Sequence, residues 1–250
     1  MKKAFAWVGA VAFFGVVVGG VLKSDRYPVI VHYHTFDERF ERLAPKVGEE
    51  SFRKQMAYIA KHGYHVVTLD EMVANIKAGK NPPKTLAITF DDGYADNLIG
   101  AKILAQYGFP ATIFCIVDKM GSDPGYLSPR QAREIERTTP VRIESHTMSH
   151  AYLPESKNVH GELIESKNAL EKMLGREIHF LAYPIGGFSE QIMAESKAAG
   201  YLAAFTTNRG DGKDLYALRR VKMTEKDTSS ALWWKLHGYF FMNRHTKKAN

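Results

Sequence analysis

Short apolar runs and longer stretches of helical period alternate along the chain. Seven runs rich in β-branched and aromatic residues predict strands. They are Val29–His34, His65–Thr68, Leu86–Phe90, Ala111–Val117, Val141–Glu144, His179–Ala182 and Leu202–Phe205. Four stretches between them predict helices, namely Ser51–His62, Ala95–Tyr107, Asn158–Leu174 and Ser189–Ala199. This alternation predicts a parallel sheet with right-handed crossovers. The pattern alone is compatible with both a barrel and a doubly wound open sheet.

The first residues differ from the rest of the chain. Lys2 and Lys3 precede a stretch without charge, residues 4–22, and about 20 apolar residues suffice to span a bilayer. The stretch ends without an A-x-A-like cleavage site. We therefore expect residues 1–24 to form a membrane anchor and residues 25–250 to form the functional domain. A cleaved signal peptide is the alternative, and both interpretations place the domain outside the cytoplasm.

Composition limits the classes of partner. The net charge is +7, but the basic residues are scattered and no nucleic-acid motif is present, so we expect no nucleic-acid partner. The first strand is not followed by the glycine-rich fingerprint of dinucleotide-binding proteins. The single cysteine, Cys115, excludes an intrachain disulfide. Its position in an apolar run predicts a buried core residue.

Polar residues follow two of the predicted strands. Asp91 and Asp92 come after the third strand, and His146 and His150 come after the fifth. The carboxyl ends of parallel strands are where α/β barrels carry their chemistry. Two histidines and a carboxylate form a common ligand set for a catalytic metal. Taken separately, the two segments would also suit a turn and a pair of capping or surface histidines.

Two motifs resemble those of a known family. Thr89-Phe90-Asp91-Asp92-Gly93 and Ser145-His146-Thr147-Met148-Ser149-His150 are similar to the first two motifs of the polysaccharide deacetylases, carbohydrate esterase family 4, also called the NodB homology domain. The resemblance extends over about residues 28–223. It implies a distorted (β/α)7-type barrel, preceded here by the N-terminal hydrophobic helix. It also implies one divalent metal ion, with zinc as the first choice and cobalt, nickel, manganese or iron as alternatives.

The resemblance also assigns roles by position. Asp91 corresponds to the catalytic base. The metal ligands would be Asp92, His146 and His150.

The general acid is expected near the start of the domain. The segment Pro28-Val29-Ile30-Val31-His32-Tyr33-His34 resembles the N-terminal motif of the branch that acts on poly-N-acetylglucosamine. His34 is therefore the candidate acid, and His32 is a weaker one. The aspartate that supports the acid in the family has no clear counterpart. Asp211 and Asp214 are possible replacements.

The third motif departs from the family pattern. In the segment 180–187, Ala182 stands where the family usually has an arginine, and Ile185 stands where it has an aromatic residue. That arginine orients the base, so its absence leaves open how Asp91 is held. We expect Tyr183, Pro184 and Ile185 to line the substrate or to bind the oxyanion through the backbone N–H of Ile185.

The function implied is hydrolysis of N-acetyl groups from an N-acetylated polysaccharide. An inactive sugar-binding domain on the same fold is the main alternative, and a glycosidase using paired carboxylates is another. The aromatic and basic tail from Trp233 to Lys248 predicts a packing helix or, alternatively, a segment that lies on a membrane surface. His237, within that tail, is expected to pack rather than to catalyse.

Overall fold

A computed structural model describes residues 28–40, 44–208 and 214–237. The strands are β1 (Val29–Tyr33), β2 (His65–Val66), β3 (Thr85–Phe90), β4 (Ala111–Cys115), β5 (Val141–Ser145), β6 (Phe180–Ala182), β7 (Ala203–Thr206), β8 (Leu218–Arg219) and β9 (Val221–Lys222). The helices are α1 (Glu49–Lys61), α2 (Leu69–Lys77), α3 (Asn97–Tyr107), α4 (Pro129–Thr138), α5 (Val159–Leu174), α6 (Glu190–Ala198) and α7 (Ser229–His237). The expected anchor, residues 1–24, lies outside the described residues. Within the described ranges, no helix has the length and apolar character needed to span a membrane.

The strands form one parallel sheet that closes almost completely on itself. Their order is β8-β7-β6-β5-β4-β3-β1-β9, and β2 also pairs with β3. The two edge strands, β8 and β9, are neighbours in sequence with only Arg220 between them. The chain therefore steps from one edge of the sheet to the other within a single residue. This arrangement confirms the barrel rather than the open sheet.

The predicted strands are all present, with shifted ends. β1, β3 and β4 are buried along their whole length, as expected for parallel strands covered on both faces. The second strand is shorter than predicted, and β8 and β9 were not predicted. A two-residue strand is too short to give an alternating pattern. Cys115 is fully buried in β4, as predicted.

The four predicted helices are also present, and their ends follow local capping chemistry. The Ser189 side chain accepts a hydrogen bond from the Ile192 N–H and caps α6. Gly175 ends α5 in the left-handed conformation. Among helices that the prediction did not name, α4 begins with a capping box in which Ser128 and Gln131 bond reciprocally.

The C-terminal helix packs against the barrel rather than standing free. Leu232 and Leu236 of α7 are buried, and α7 contacts α1. The ring of Trp233 stacks on His237, with 4.9 Å between the ring centroids. The packing interpretation is therefore confirmed for 229–237. The remainder of the predicted tail lies outside the described residues.

Candidate active site

Three side chains from two strand ends converge on one point. Asp92 follows β3, and His146 and His150 follow β5. The Nε2 atoms of both histidines lie 3.4 Å from Oδ1 of Asp92, and the three ligand atoms all lie within 4.8 Å of one another. Atoms that ligate zinc at about 2.0–2.1 Å in a tetrahedron stand about 3.3–3.4 Å apart. The spacing therefore fits a divalent cation bound by these three residues.

The hydrogen bond at the other ring nitrogen of His146 is also typical of a metal ligand. Its Nδ1 lies 2.7 Å from the carbonyl oxygen of Ala182. We assign a proton to Nδ1, so a neutral imidazole directs its Nε2 lone pair toward Asp92 and an imidazolium directs its Nε2 proton there. Burial lowers the pKa of His146, but a hydrogen bond to Asp92 and the charge of Asp91 raise it above its ordinary value. The negative charge that favours a proton on Nε2 would equally favour a cation.

His150 and Asp92 carry the charge states that ligation requires. Burial and the neighbouring His146 lower the pKa of His150 to about 4, so its imidazole is neutral near pH 7. Burial raises the pKa of Asp92, but the hydrogen bond from His146 brings the net value below the ordinary one. A neutral imidazole and an ionised carboxylate can both donate lone pairs to a cation.

The backbone is strained where these side chains are presented. Asp92, Thr147, His150 and Ile185 all have positive φ, between 56° and 68°. Among the described non-glycine residues, Lys84 is the one other residue with positive φ. Left-handed non-glycine residues cost of order 1–3 kcal/mol each and tend to cluster at functional sites. Four of five at one site mark it as a region where position outweighs local stability.

A carboxylate on α5 holds the loop between the two histidines. Oε2 of Glu162 accepts hydrogen bonds from the N–H groups of Met148 and Ser149, at 3.0 and 2.9 Å. Oε1 of Glu162 accepts a further bond from the Ser149 hydroxyl. Charged acceptors make stronger hydrogen bonds than neutral ones. The strained loop between His146 and His150 is therefore fixed from outside the site.

Asp91 is held by an arginine that the sequence analysis did not identify. The guanidinium of Arg220 donates from Nη1 to Oδ1 of Asp91 at 2.6 Å and from Nη2 to Oδ2 at 2.7 Å. Both side chains are buried. Burial opposes ionisation of Asp91, but Arg220, His146 and His34 together hold its pKa well below its ordinary value. The arginine missing at position 182 is thus replaced in space by one from the seam between β8 and β9.

The candidate acid lies on the other side of Asp91. Nε2 of His34 is 3.9 Å from Oδ2 of Asp91, and the side chain is 17% exposed. Burial lowers the pKa of His34, although Asp91 and Asp92 oppose this effect. His32 lies deeper, with Nδ1 3.7 Å from the same oxygen. At 1% exposure, His32 has little access to a substrate and packs edge-on against His34.

The third segment contributes in three different ways. The Tyr183 hydroxyl donates to the carbonyl oxygen of Tyr216 at 3.0 Å, so its polar end is engaged within the protein. Pro184 is buried, whereas the Ile185 side chain is 65% exposed at the rim. Tyr183 and Ile185 both line the cavity of the site. The expectation that this segment borders the site therefore agrees with the geometry, with Ile185 as its most accessible part.

One small cavity joins these groups. Its volume is about 190 Å³. The lining residues are His34, Asp91, Asp92, His146, His150, Tyr183, Ile185, Gly186 and Thr207. Cavities for whole drug-sized ligands usually exceed about 300 Å³. The size therefore suits a substituent of a larger molecule, with the rest of that molecule lying outside.

Asp214 does not support the candidate acid, contrary to the prediction. Asp214 is exposed, and its Oδ1 accepts a hydrogen bond from the Tyr216 N–H. Its carboxylate forms no ion pair with His34, whose ion-pair partner among the described residues is Asp91. Asp211 lies outside the described residues.

Comparison with known proteins identifies the family. The polysaccharide deacetylase family model matches residues 78–204. The chain is 30% identical over 218 residues to YxkH of Bacillus subtilis, which is named as a polysaccharide deacetylase, covering 84% of this chain and 75% of that protein. The chain belongs to the polysaccharide deacetylase family.

The chain is also similar to a curated deacetylase and to a solved deacetylase structure. The poly-β-1,6-N-acetyl-D-glucosamine N-deacetylase of Staphylococcus epidermidis is 29% identical over 177 residues, which are 64% of this chain and 61% of that protein. The chain thus spans less than two thirds of that relative. The crystal structure of a polysaccharide deacetylase from Bacillus cereus superposes with a TM-score of 0.74 at 26% identity, over 84% of this chain and 69% of that one.

Proposed function

We propose that this protein hydrolyses N-acetyl groups on a polysaccharide of the N-acetylglucosamine type, releasing acetate and leaving free amines. The observation that carries the proposal is the convergence of Asp92, His146 and His150 beside the buried Asp91. Membership of the polysaccharide deacetylase family and similarity to a poly-N-acetylglucosamine deacetylase support the substrate class.

In this proposal Asp92, His146 and His150 hold one divalent cation, with zinc as first choice. Such a cation supplies Lewis-acid chemistry, since it polarises a carbonyl and makes water more acidic. The donor set also accepts cobalt, nickel, manganese or iron.

The remaining residues handle protons and charge. Asp91, kept ionised and oriented by Arg220, accepts a proton from the attacking water. The Ile185 N–H is the proposed donor to the developing oxyanion. His34 delivers a proton to the departing sugar nitrogen. Its Nε2 lies 3.9 Å from Oδ2 of Asp91, so the proton that Asp91 takes from the water can pass to His34 and from there to the nitrogen.

Arg220 bears directly on the choice between an enzyme and an inactive sugar-binding domain. The absence of the arginine of the third motif favoured the inactive domain. Arg220 donates two buried hydrogen bonds to Asp91, so the lack of an arginine at position 182 is no longer an argument for inactivity. A binding domain would gain nothing from a buried charge pair, because such pairs rarely add net stability.

We further propose that residues 1–24 anchor the protein to the cell membrane and that residues 25–250 act outside the cytoplasm. The uncharged stretch at 4–22 behind Lys2 and Lys3 supports this topology. Fractionation of cells producing the full chain should find it with the membrane, facing outward in a protease-accessibility assay. Recovery of the intact protein from the cytoplasm would contradict the proposed location.

The enzymatic proposal is tested by acetate release from β-1,6-linked N-acetylglucosamine oligomers. Wild-type protein loaded with zinc should release acetate, and a chelator should abolish the release. Asp91→Asn should bind the same amount of metal but lose turnover by about 10²–10⁴-fold, the usual contribution of a general base. Acetate release by Asp91→Asn at the wild-type rate would contradict the assignment. New reducing ends without free amines would instead indicate a glycosidase.

A further inference from the structure

The loop that follows His34 is tied to a single carboxylate oxygen. Oδ2 of Asp96 accepts hydrogen bonds from the Thr35 hydroxyl at 2.6 Å and from the N–H groups of Phe36 and Asp37, each at 2.9 Å. The three donors belong to the three residues directly after His34. Because the acceptor is a carboxylate, each of these bonds is stronger than a bond between neutral groups.

Asn97, the residue after Asp96, makes a hydrogen bond to His34 itself. Nδ2 of Asn97 donates to the backbone carbonyl of His34 at 2.6 Å and to Oδ1 of Asp96 at 3.2 Å. Asn97 is fully buried. The first turn of α3 also approaches the loop closely, since a Cβ added to Gly100 would lie 2.9 Å from the Phe36 ring. Side-chain bonds and close packing therefore fix the same loop.

Asp96 makes these bonds instead of capping its own helix. It occupies the N-cap position of α3, where an aspartate usually accepts a bond from an N–H of the first turn. Here the Asp96 backbone is helical, with φ −73° and ψ −12°, and its side chain makes no capping bond. A cap of this kind contributes typically about 1 kcal/mol. The carboxylate is directed to the His34 loop rather than to local helix stability.

We propose that Asp96 and Asn97 are positioning residues for His34. They connect the loop that carries the acid to the segment that follows Asp91 and Asp92, so that acid, base and metal ligand move as one unit. The inference rests on the proposed function, in which His34 protonates the sugar nitrogen. It assigns no contact with substrate to either positioning residue.

The test separates leaving groups that need a proton from one that does not. Acetate release from N-acetylglucosamine oligomers requires protonation of an amine, whereas 4-nitrophenyl acetate releases a stable phenolate. Asp96→Ala should lower kcat on the oligomer at least about tenfold, within the range of a general-acid contribution, with KM nearly unchanged. Hydrolysis of 4-nitrophenyl acetate should stay close to the wild-type rate. Asp118→Ala, which removes an exposed carboxylate, is the matched control and should change neither reaction.

A double-mutant cycle tests the route through His34. If Asp96 acts by positioning His34, adding Asp96→Ala to His34→Ala should produce no further loss on the oligomer. Thr35→Val removes one of the three donors at nearly constant volume and should show the same pattern more weakly. It also provides the test if Asp96→Ala fails to fold.

The outcomes distinguish this inference from the proposed function. Absence of acetate release by zinc-loaded wild-type protein would overturn both. If the wild type is active, multiplicative losses in the double mutant would overturn the positioning role alone. A parallel fall in hydrolysis of 4-nitrophenyl acetate would also overturn it, because that result indicates general damage to the site.

Discussion

Arg220→Met is the substitution that most sharply probes how the base is held. Arg220 has no exposed side-chain surface and pairs with Asp91 through two short hydrogen bonds. Its guanidinium also lies over the ring of Phe114, 5.4 Å from the centroid. Methionine keeps much of the stem and its packing while it removes the charge and the donors. The substitution therefore isolates the electrostatic contribution.

The expected losses follow from the burial of Asp91. Removing one partner of a buried ion pair typically costs about 3–5 kcal/mol, because the other charge is left uncompensated. His32 and His34 lie 3.7 and 3.9 Å from Asp91, and beside burial the charge of Arg220 lowers the pKa of both. Loss of Arg220 therefore favours protonation of an imidazole that can partly compensate Asp91, so we expect the lower end, about 3 kcal/mol. The freed base should lower kcat/KM at least about 100-fold, equivalent to about 2.7 kcal/mol.

Stability is measured by chemical denaturation with chelator present, so that metal binding does not contribute. Arg137→Met, which removes an exposed arginine that contacts both carboxylate oxygens of Glu134, is the control and should leave the midpoint unchanged. Adding Asp91→Asn to Arg220→Met should recover stability but not activity, because no unpaired charge remains. An Arg220→Met protein with wild-type stability and kcat/KM within about threefold of wild type would refute this account.

Three further predictions concern the surroundings of the site. In Gly93→Ala the new Cβ would lie 2.6 Å from the Cys115 Sγ at a φ of +74°, so denaturation should show a loss of about 1–3 kcal/mol. Ile185→Gly relieves left-handed strain of about 1–2 kcal/mol and removes an exposed side chain at the rim, so the denaturation midpoint should hold or rise while KM for the oligomer increases. Burial raises the pKa of Glu144 to about 7 despite its contact with Arg176. Between pH 4.5 and about 7 the native state binds more protons than the unfolded state, so the free energy of unfolding should fall as the pH rises across this range. Glu144→Gln should make this pH dependence weaker.

The residues brought together at the site could be predicted because each belongs to a local pattern. Asp91 and Asp92 directly follow one apolar run. His146 and His150 follow a second apolar run and are separated by a single short loop. Strand ends of a parallel barrel meet on one face, so the topology carries these local signals to a common point. Cys115, in an unbroken apolar run, was predictable for the same reason.

Arg220 escaped prediction because its role depends on closure of the sheet. It lies between two strands of two residues each, and nothing local indicates that they occupy opposite edges. Two adjacent arginines within the β-like segment Leu218–Val221 could have indicated a buried ion pair, since a buried charge there requires a buried partner. The role of Asp96 was not predictable either, because an aspartate in the first turn of a predicted helix normally indicates a favourable interaction with the helix N-terminus.

The central claim is that Asp92, His146 and His150 bind a cation that deacetylation requires. Titration of zinc into chelator-treated protein, with bound metal and acetate release measured on the same samples, tests it most directly. We expect both signals to rise together and level off at one ion per chain, with Asp92→Ala failing in both. Full acetate release before any metal binds, or stoichiometric binding that Asp92→Ala leaves unchanged, would contradict the claim.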